Sequence, residues 1–319
     1  MNSNFNNSLG NNFGNDFGEN EIKLYSADPF AQMLAKADPI EINGGGGYRQ
    51  AFGFAVTAEN AEKVGFSIEE GDCWELIEYP FQGGAEMVPL FLTSKPRILV
   101  LGASRLYMRL RESEKIEYIQ FSKDTKHIYL ENKKDYTVVT QYAIFFANQN
   151  GILMHDTPLK IRLKGVLGAQ FSRFYGAPQV STKRDEKGQI SFCDYLKNYA
   201  KQEIKSPNLA VNANYYAQMA FEPMFRAERK GQGNNSVNLG CIVGWKERPN
   251  NGKDLGYRIT DPGQRTKVNE FVGKVLRKED NWDLDAYFFR KEQQNQPNEI
   301  VGVGANYEYP AGYDDESFE

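Results

Sequence analysis

Lys95, Arg97, Arg105, Tyr107, Arg109 and Arg111 fall on two successive strand-like segments, and in the second the odd positions are Arg or Tyr throughout. Side chains alternate along a strand, so Arg105, Tyr107, Arg109 and Arg111 would share one face while Leu106, Met108 and Leu110 turn to the core. Guanidinium groups and a phenol ring in line suit single-stranded nucleic acid, because cations neutralise phosphates and a flat ring stacks on any base. A solvated face carrying salt bridges is the plainer reading of the same pattern. Lys160, Arg162 and Lys164 repeat the spacing, with Ile161 and Leu163 pointing the other way. Just downstream, Phe171, Arg173, Phe174 and Tyr175 precede Gly176 and Pro178. They read either as a loop lip offering stacking platforms or as a hydrophobic corner. Lys183, Arg184 and the Arg226–Lys230 segment add further basic charge.

Other chemistry finds little support. The two histidines, His127 and His155, stand in no HxH, HExxH or Cys/His cluster, which leaves no metal site to argue for. His155-Asp156 precedes Thr157-Pro158 and reads as a polar pair in a turn. No Gly-x-Ser-x-Gly is present, and Cys73 and Cys193 have no histidine near them in sequence. Glu69-Glu70 and Asp314-Asp315 sit in acidic stretches, where solvated charge is the simpler reading than paired-carboxylate catalysis. Gly44 to Gly47 invite a phosphate-loop reading, but no Gly-Lys-Ser/Thr follows and strand-like residues do. The expectation is therefore a binding protein rather than an enzyme, with no cofactor.

Charge sharpens this. The chain of 319 residues carries a net charge of −4. Residues 1–94 hold 4 basic and 14 acidic groups, residues 95–230 hold 23 and 13, and residues 231–319 hold 11 and 15. A basic middle is flanked by acidic ends, an arrangement that favours a polyanionic partner for the middle alone. No apolar run approaches the ~20 residues that span a bilayer. Cys73, Cys193 and Cys241 form no CxxC pair, and an odd cysteine count argues against a disulfide framework, so a cytoplasmic setting without membrane is expected.

The elements that must position the basic rows are mostly short strands. Tyr48–Val56, Cys73–Tyr79, Met87–Leu92, Arg97–Leu101, Ser104–Arg111, Ile116–Phe121, Ile128–Leu130, Thr137–Ala147, Leu159–Leu167, residues 209–226, Val237–Val243 and Leu284–Arg290 all read as strand between Gly, Pro, Asn and Asp turn signals. Helices are expected at 29–36, 57–64, 190–205 and 266–278, the first from an Asp28-Pro29 start and the last from Val268, Phe271, Val272 and Val275 at helical spacing. The fold class is thus α+β, mainly β, with an OB-like or other antiparallel barrel or sandwich core and flanking helices. Residues 1–24, with eight Asn among the first twenty, read as a disordered arm, 25–300 as the globular region and 301–319 as a flexible acidic tail.

That tail ends Tyr313-Asp314-Asp315-Glu316-Ser317-Phe318-Glu319. Here the chain resembles the single-stranded-DNA-binding proteins of bacteria and phages, whose OB-fold body carries a mobile acidic tail ending in an aromatic residue. The resemblance implies that Asp314, Asp315, Glu316 and Phe318 dock replication or recombination proteins. Glu319 after Phe318 departs from the pattern, since no Pro-Phe pair ends the chain. As a whole the chain also resembles uncharacterised proteins of cyanobacterial genomes and plasmids. The expected function is sequence-tolerant binding of single-stranded DNA or RNA in replication, repair or recombination, by a chain that is a candidate homo-oligomer. The alternative is a phage- or plasmid-encoded structural or assembly protein.

Overall fold

The computed structural model describes residues 29–41, 48–81, 86–110, 118–133, 135–176, 189–202, 212–230, 237–248 and 257–289. The polar arm, the four-glycine run, Arg111, the Lys183-Arg184 pair and the acidic tail all lie outside them.

Eleven strands form one mixed sheet. They are β1 (Phe30–Glu41), β2 (Tyr48–Thr57), β3 (Glu75–Phe81), β4 (Glu86–Thr93), β5 (Arg97–Ala103), β6 (Tyr107–Leu110), β7 (Tyr118–Gln120), β8 (Tyr136–Ala147), β9 (Leu159–Lys164), β10 (Pro223–Lys230) and β11 (Val237–Trp245). The main path runs β3-β4-β2-β1-β9-β8-β6-β7, with β5 on β8 and the β10–β11 hairpin on β1. Its end strands β3 and β7 do not pair, so the sheet is open and no barrel closes. The β1–β9 pairing is parallel, which also departs from an all-antiparallel core.

β8 is the axis of the sheet. Its first half pairs with β6 and its second half with β5 along one edge, while β9 takes the other. Between β5 and β6 the ladder is bridged by Ser104, whose backbone N–H donates to the Gln141 carbonyl and whose Oγ accepts from the Gln141 N–H at 2.9 Å. Alternate residues of β8 enter different cores. Tyr142, Ile144 and Phe146 pack with Ala31, Met33, Phe54, Val56, Ile161 and Leu163 on one face. Ala143, Phe145 and Ala147 pack with Leu99 and Leu101 on the other. A strand buried on both sides reads as a continuous apolar run, which is why Thr137–Ala147 is so legible.

Among the described residues seven α-helices cover the faces: α1 (Ala58–Val64), α2 (Lys126–Glu131), α3 (Gly165–Tyr175), α4 (Phe192–Gln202), α5 (Ala213–Ala217), α6 (Pro262–Arg277) and α7 (Ala286–Phe289). Thr57 caps α1 as its composition predicts. α6 begins one turn before the expected 266, because Asp261 accepts from the Gln264 N–H at 2.7 Å and Pro262 starts the helix. Val268, Val272 and Val275 of α6 press onto β5 and β8. Gly102 allows this approach, since a Cβ there would stand 2.5 Å from Val275 Cγ1.

Four expectations are corrected. Residues 29–36 are strand: Ala31 and Met33 face one core and Leu34 the other, a two-sided apolar pattern that mimics a short helix. Ile128–Leu130 lies inside α2, started by a turn in which Ser122 N–H donates to Thr125 Oγ1 at 2.8 Å. Residues 209–226 divide, with Asn212 capping α5 before β10 begins at Pro223. Leu284–Arg290 includes α7, where Asp283 Oδ1 accepts from the Asp285 and Ala286 N–H groups.

His155 joins this core rather than a catalytic centre. Its Nε2 accepts from the Phe146 N–H at 2.8 Å, and its Nδ1–H donates to the Thr157 carbonyl at 2.7 Å. Burial pushes its pKa down to about 4, and protonating Nε2 would break the bond from Phe146. A histidine held below its unfolded value of 6.5 contributes stability that is fully present above pH 6.5 and is lost as pH falls through 4. Urea unfolding at pH 7 and pH 4 should therefore differ on the order of 3 kcal/mol from this group, and His155→Gln should flatten that difference. An unchanged pH slope in the variant would refute the assignment.

Candidate nucleic-acid interface

Register decides whether the two basic rows meet. On β6, Tyr107 and Arg109 pair with Val139 and Thr137 of β8. On β9, Lys164, Arg162 and Lys160 pair with Val139, Gln141 and Ala143 of the same strand. Registered partners point to one side of a sheet, so Arg109, Lys160, Arg162 and Lys164 are cofacial, with β8 between them. β7 extends the face by Tyr118 and Gln120, paired with Arg109 and Tyr107. Across β8 and β6, the Arg162 guanidinium meets Tyr118 of β7 and donates to its Oη at 3.4 Å. Arg162, Lys164, Arg109 and Tyr118 are each half-buried.

The end of the described chain crosses part of this face. From α6 it passes through a 3-10 turn at Asp280–Trp282 to α7. Lys160, only 8% exposed, gives its ammonium to the Asn281 carbonyl and lies 5.4 Å over the Trp282 ring. Trp282 in turn meets Phe271 of α6 edge-on at 5.7 Å. Tyr107 stacks on Phe288 with ring centroids 4.0 Å apart and donates to Asp285 Oδ1 at 3.1 Å. Asp285 Oδ1 also accepts from the Arg105 N–H at 2.8 Å, and its Oδ2 accepts from Lys278 Nζ at 2.9 Å. Burial alone would raise the Asp285 pKa, but the bonds from Lys278, Arg105 and Tyr107 hold it below the ordinary value. Tyr107 goes the other way: burial and then the Asp285 charge raise its phenol well above the usual range.

These contacts correct several residue assignments. Tyr107 is fully buried and its ring is taken by Phe288, so it is no stacking platform for a base. Arg105 lies before β6 rather than in it. It is exposed, donating to Gln120 Oε1 at 3.2 Å with its Nε 3.9 Å from Asp285. Phe171, Phe174 and Tyr175 belong to α3, not to a loop lip, and all three are buried. Phe171 packs on Tyr142, Phe54 and Phe221, on the face opposite the basic rows. Arg173 follows α3 to that side, its guanidinium 5.6 Å from the Phe174 ring. Arg97 leaves the surface altogether: it is 2% exposed, 3.1 Å from Glu222, and donates to the Asn148 and Gln149 carbonyls. Arg111 and the tail residues Asp314, Asp315, Glu316 and Phe318 lie outside the described residues.

Sequence reasoning missed Tyr118, Gln141, Trp282, Asp285 and Phe288. Gln141 was detectable as the one long polar side chain inside the apolar β8 run. The alternation of β8 also places it with the odd positions. Nothing local marked Asp285 and Phe288, because their partners lie roughly 180 positions upstream.

Among the described residues no group of three or more His, Cys, Asp or Glu is placed to hold a metal ion. Burial raises the Cys193 thiol to about 12, which leaves it a core group rather than a nucleophile. Among the described residues no helix is long and apolar enough to cross a membrane.

A family model described as a domain of unknown function, DUF5895, matches residues 28–254. Among curated proteins, "Uncharacterized protein 254L" of Invertebrate iridescent virus 6 is 20% identical over 226 residues, which are 68% of this chain and 61% of that protein. The chain thus spans less than two thirds of that relative's length. No solved structure matches it.

Asp285 accepts three hydrogen bonds beside α7, so its loss strands the buried Tyr107 hydroxyl and two part-buried donors. Asp285→Ala should lower stability at pH 7 by about 2 kcal/mol and Asp285→Asn by about half of that. Urea denaturation checks both values, and a neutral Asp285→Ala would show that the crossing segment is not anchored there.

Proposed function

We propose a function for this chain, which belongs to the DUF5895 family: it binds single-stranded nucleic acid along the sheet face of β6, β8 and β9, chiefly through backbone phosphates. The observation that carries this reading is the cross-strand register that makes Arg109, Arg162 and Lys164 cofacial. Strands in a sheet lie about 4.8 Å apart, so cations on β6 and β9, two strands apart, stand about 10 Å from one another before their flexible side chains adjust. That separation is within reach of phosphates on one extended strand. Arg105 at the rim lengthens the cationic surface toward β7. The burial of Tyr107, Phe171, Phe174 and Tyr175 removes the expected stacking platforms, so affinity here falls mainly to charge neutralisation, the term least dependent on sequence.

A tight salt dependence follows. Binding to oligothymidylate of about twenty nucleotides, read by fluorescence anisotropy, should weaken linearly in log K against log salt. Arg162→Glu with Lys164→Glu should weaken binding at least tenfold and flatten the slope by about 1.4, at ~0.7 for each lost phosphate contact. No binding even at low salt, or an unchanged slope in the double variant, would overturn the proposal.

One observation favours the assembly reading instead. β3 ends the strand order among the described residues, and Leu76 on it and Met87 on the neighbouring β4 are 57% and 54% exposed. An assembly protein would sediment as large homo-oligomers without nucleic acid, and Leu76→Lys would return it to smaller species. A monomer that shifts only when oligonucleotide is added would reject this second reading.

A further inference from the structure

One stretch of chain lies over part of the basic face. α6 ends at Arg277, and the backbone turns at Lys278, whose φ of 56° places it in the left-handed region. That region is unfavourable for a residue with a Cβ, and among the described residues Lys278 is the one non-glycine found there. Beyond the turn, the 3-10 segment and α7 settle on Lys160 of β9, on Arg105 and on Tyr107 of β6. The whole stretch, Glu279–Phe289, follows residue 254, at which the family match ends.

What this stretch brings to the sheet is chemically close to what a nucleic-acid strand brings. Phe288 lies on Tyr107 with ring centroids 4.0 Å apart and planes 18° from parallel, the arrangement of a base stacked on a phenol ring. The Asp285 carboxylate supplies an anion beside them: it accepts from the Arg105 N–H and the Tyr107 hydroxyl and lies 3.9 Å from the Arg105 guanidinium. The Asn281 carbonyl takes the Lys160 ammonium. A ring, an anion and a neutral acceptor are thus laid along Tyr107, Arg105 and Lys160. Register puts this row on the phosphate-binding face, since Tyr107 and Lys164 both pair with Val139 and Lys160 is on the Lys164 side of β9.

The grip of this stretch is modest. The Arg105 side chain is 56% exposed, so water and salt screen its attraction to Asp285, and α7 is a single turn that tertiary contact must hold. We propose that Glu279–Phe289 is an autoinhibitory strap: it occupies part of the face as a stand-in for the ligand and is displaced when a single strand binds. The inference rests on the nucleic-acid reading above. Displacement uncovers Tyr107 and Lys160 and joins them to Arg109, Arg162 and Lys164. The apparent affinity is then the intrinsic affinity reduced by the fraction of molecules whose strap is away. Loosening the strap must therefore tighten binding, which is the opposite of what damage to a binding face does.

The test uses the full chain and oligothymidylate at one fixed salt concentration. Phe288→Ala removes the ring over Tyr107 and Trp282→Ala the ring beside Lys160, and neither alters the charge of the face. Each variant should bind about fivefold tighter than wild type or more, read by fluorescence anisotropy, even though each melts at a lower temperature. Hydrogen exchange read by mass spectrometry follows displacement in wild type directly. Amides of residues 279–289 should exchange faster when oligonucleotide is saturating, while those of β8 do not. A thermal melt shows whether each variant is folded, and if Phe288→Ala is not, Trp282→Ala and the wild-type exchange decide. Unchanged or weaker binding in the folded variants, or strap amides that oligonucleotide slows, would overturn the strap and leave the phosphate-binding face standing. Absence of binding in wild type and in both variants would overturn the nucleic-acid reading, and the strap with it.

Discussion

The double burial of β8 is the constraint on which the molecule turns. A strand whose alternate residues enter two cores cannot slip by one position, because a slip would exchange every residue of one core for the other. Tyr142, Ile144 and Phe146 demand the aromatic-rich side under α3, and Ala143, Phe145 and Ala147 accept the valines of α6. With register locked at this end, the other end has no choice. Thr137, Val139 and Gln141 must lie on the α6 side, and the residues paired with them on β6 and β9 must follow. The cofacial cations are a consequence of packing at the other end of β8 rather than of any attraction between them, since like charges repel.

That repulsion is offset by the segment after α6. The Asn281 carbonyl and the Trp282 ring stand against the buried Lys160 ammonium, and burying a charge with partners is far less costly than burying one without. Asp285 supplies a carboxylate to both Arg105 and Tyr107, and it is itself held ionised by Lys278. Phe288 then seals Tyr107 and Val139 from water. The face is thereby divided into a closed portion near α6 and a half-buried portion around Arg109, Arg162 and Lys164. Elsewhere Glu222 performs the same service for the buried Arg97, with the half-buried Arg248 completing the triad. The basic middle of the sequence is thus spent in three ways: on core ion pairs, on the far face with α3, and on the β6–β9 face.

Much of the fold was legible and the reasons differ by element. β2, β4, β5, β8 and β11 could be read from β-branched and aromatic runs between turn residues, and α6 from its valines at helical spacing. Elements of mixed signal were not. Phe30–Leu34 is apolar on both sides, so its period is ambiguous, and only its partners on β2 and β9 make it a strand. The parallel β1–β9 contact joins residues about 130 positions apart and leaves no local trace. The alternation that predicted Arg105, Tyr107, Arg109 and Arg111 on one face was sound where the strand exists, at Tyr107 and Arg109. It failed for solvent exposure, because a period tells which side a residue faces and not what covers that side. Phe171, Phe174 and Tyr175 failed for the same reason: a loop and an amphipathic helix differ in what lies beneath them.

This difference bears on recognition. Exposed rings would make a binder indifferent to base identity, because stacking is available to every base. In this chain the rings named from sequence are in the core or under Phe288, and the half-buried face that remains offers cations and carboxamides instead. Cations discriminate poorly among sequences, but a buried carboxamide accepts a hydrogen bond only from a donor in the right place. The register of β8 supplies both kinds of group, since the same pairing that aligns Arg162 with its neighbours aligns Gln141 beside it.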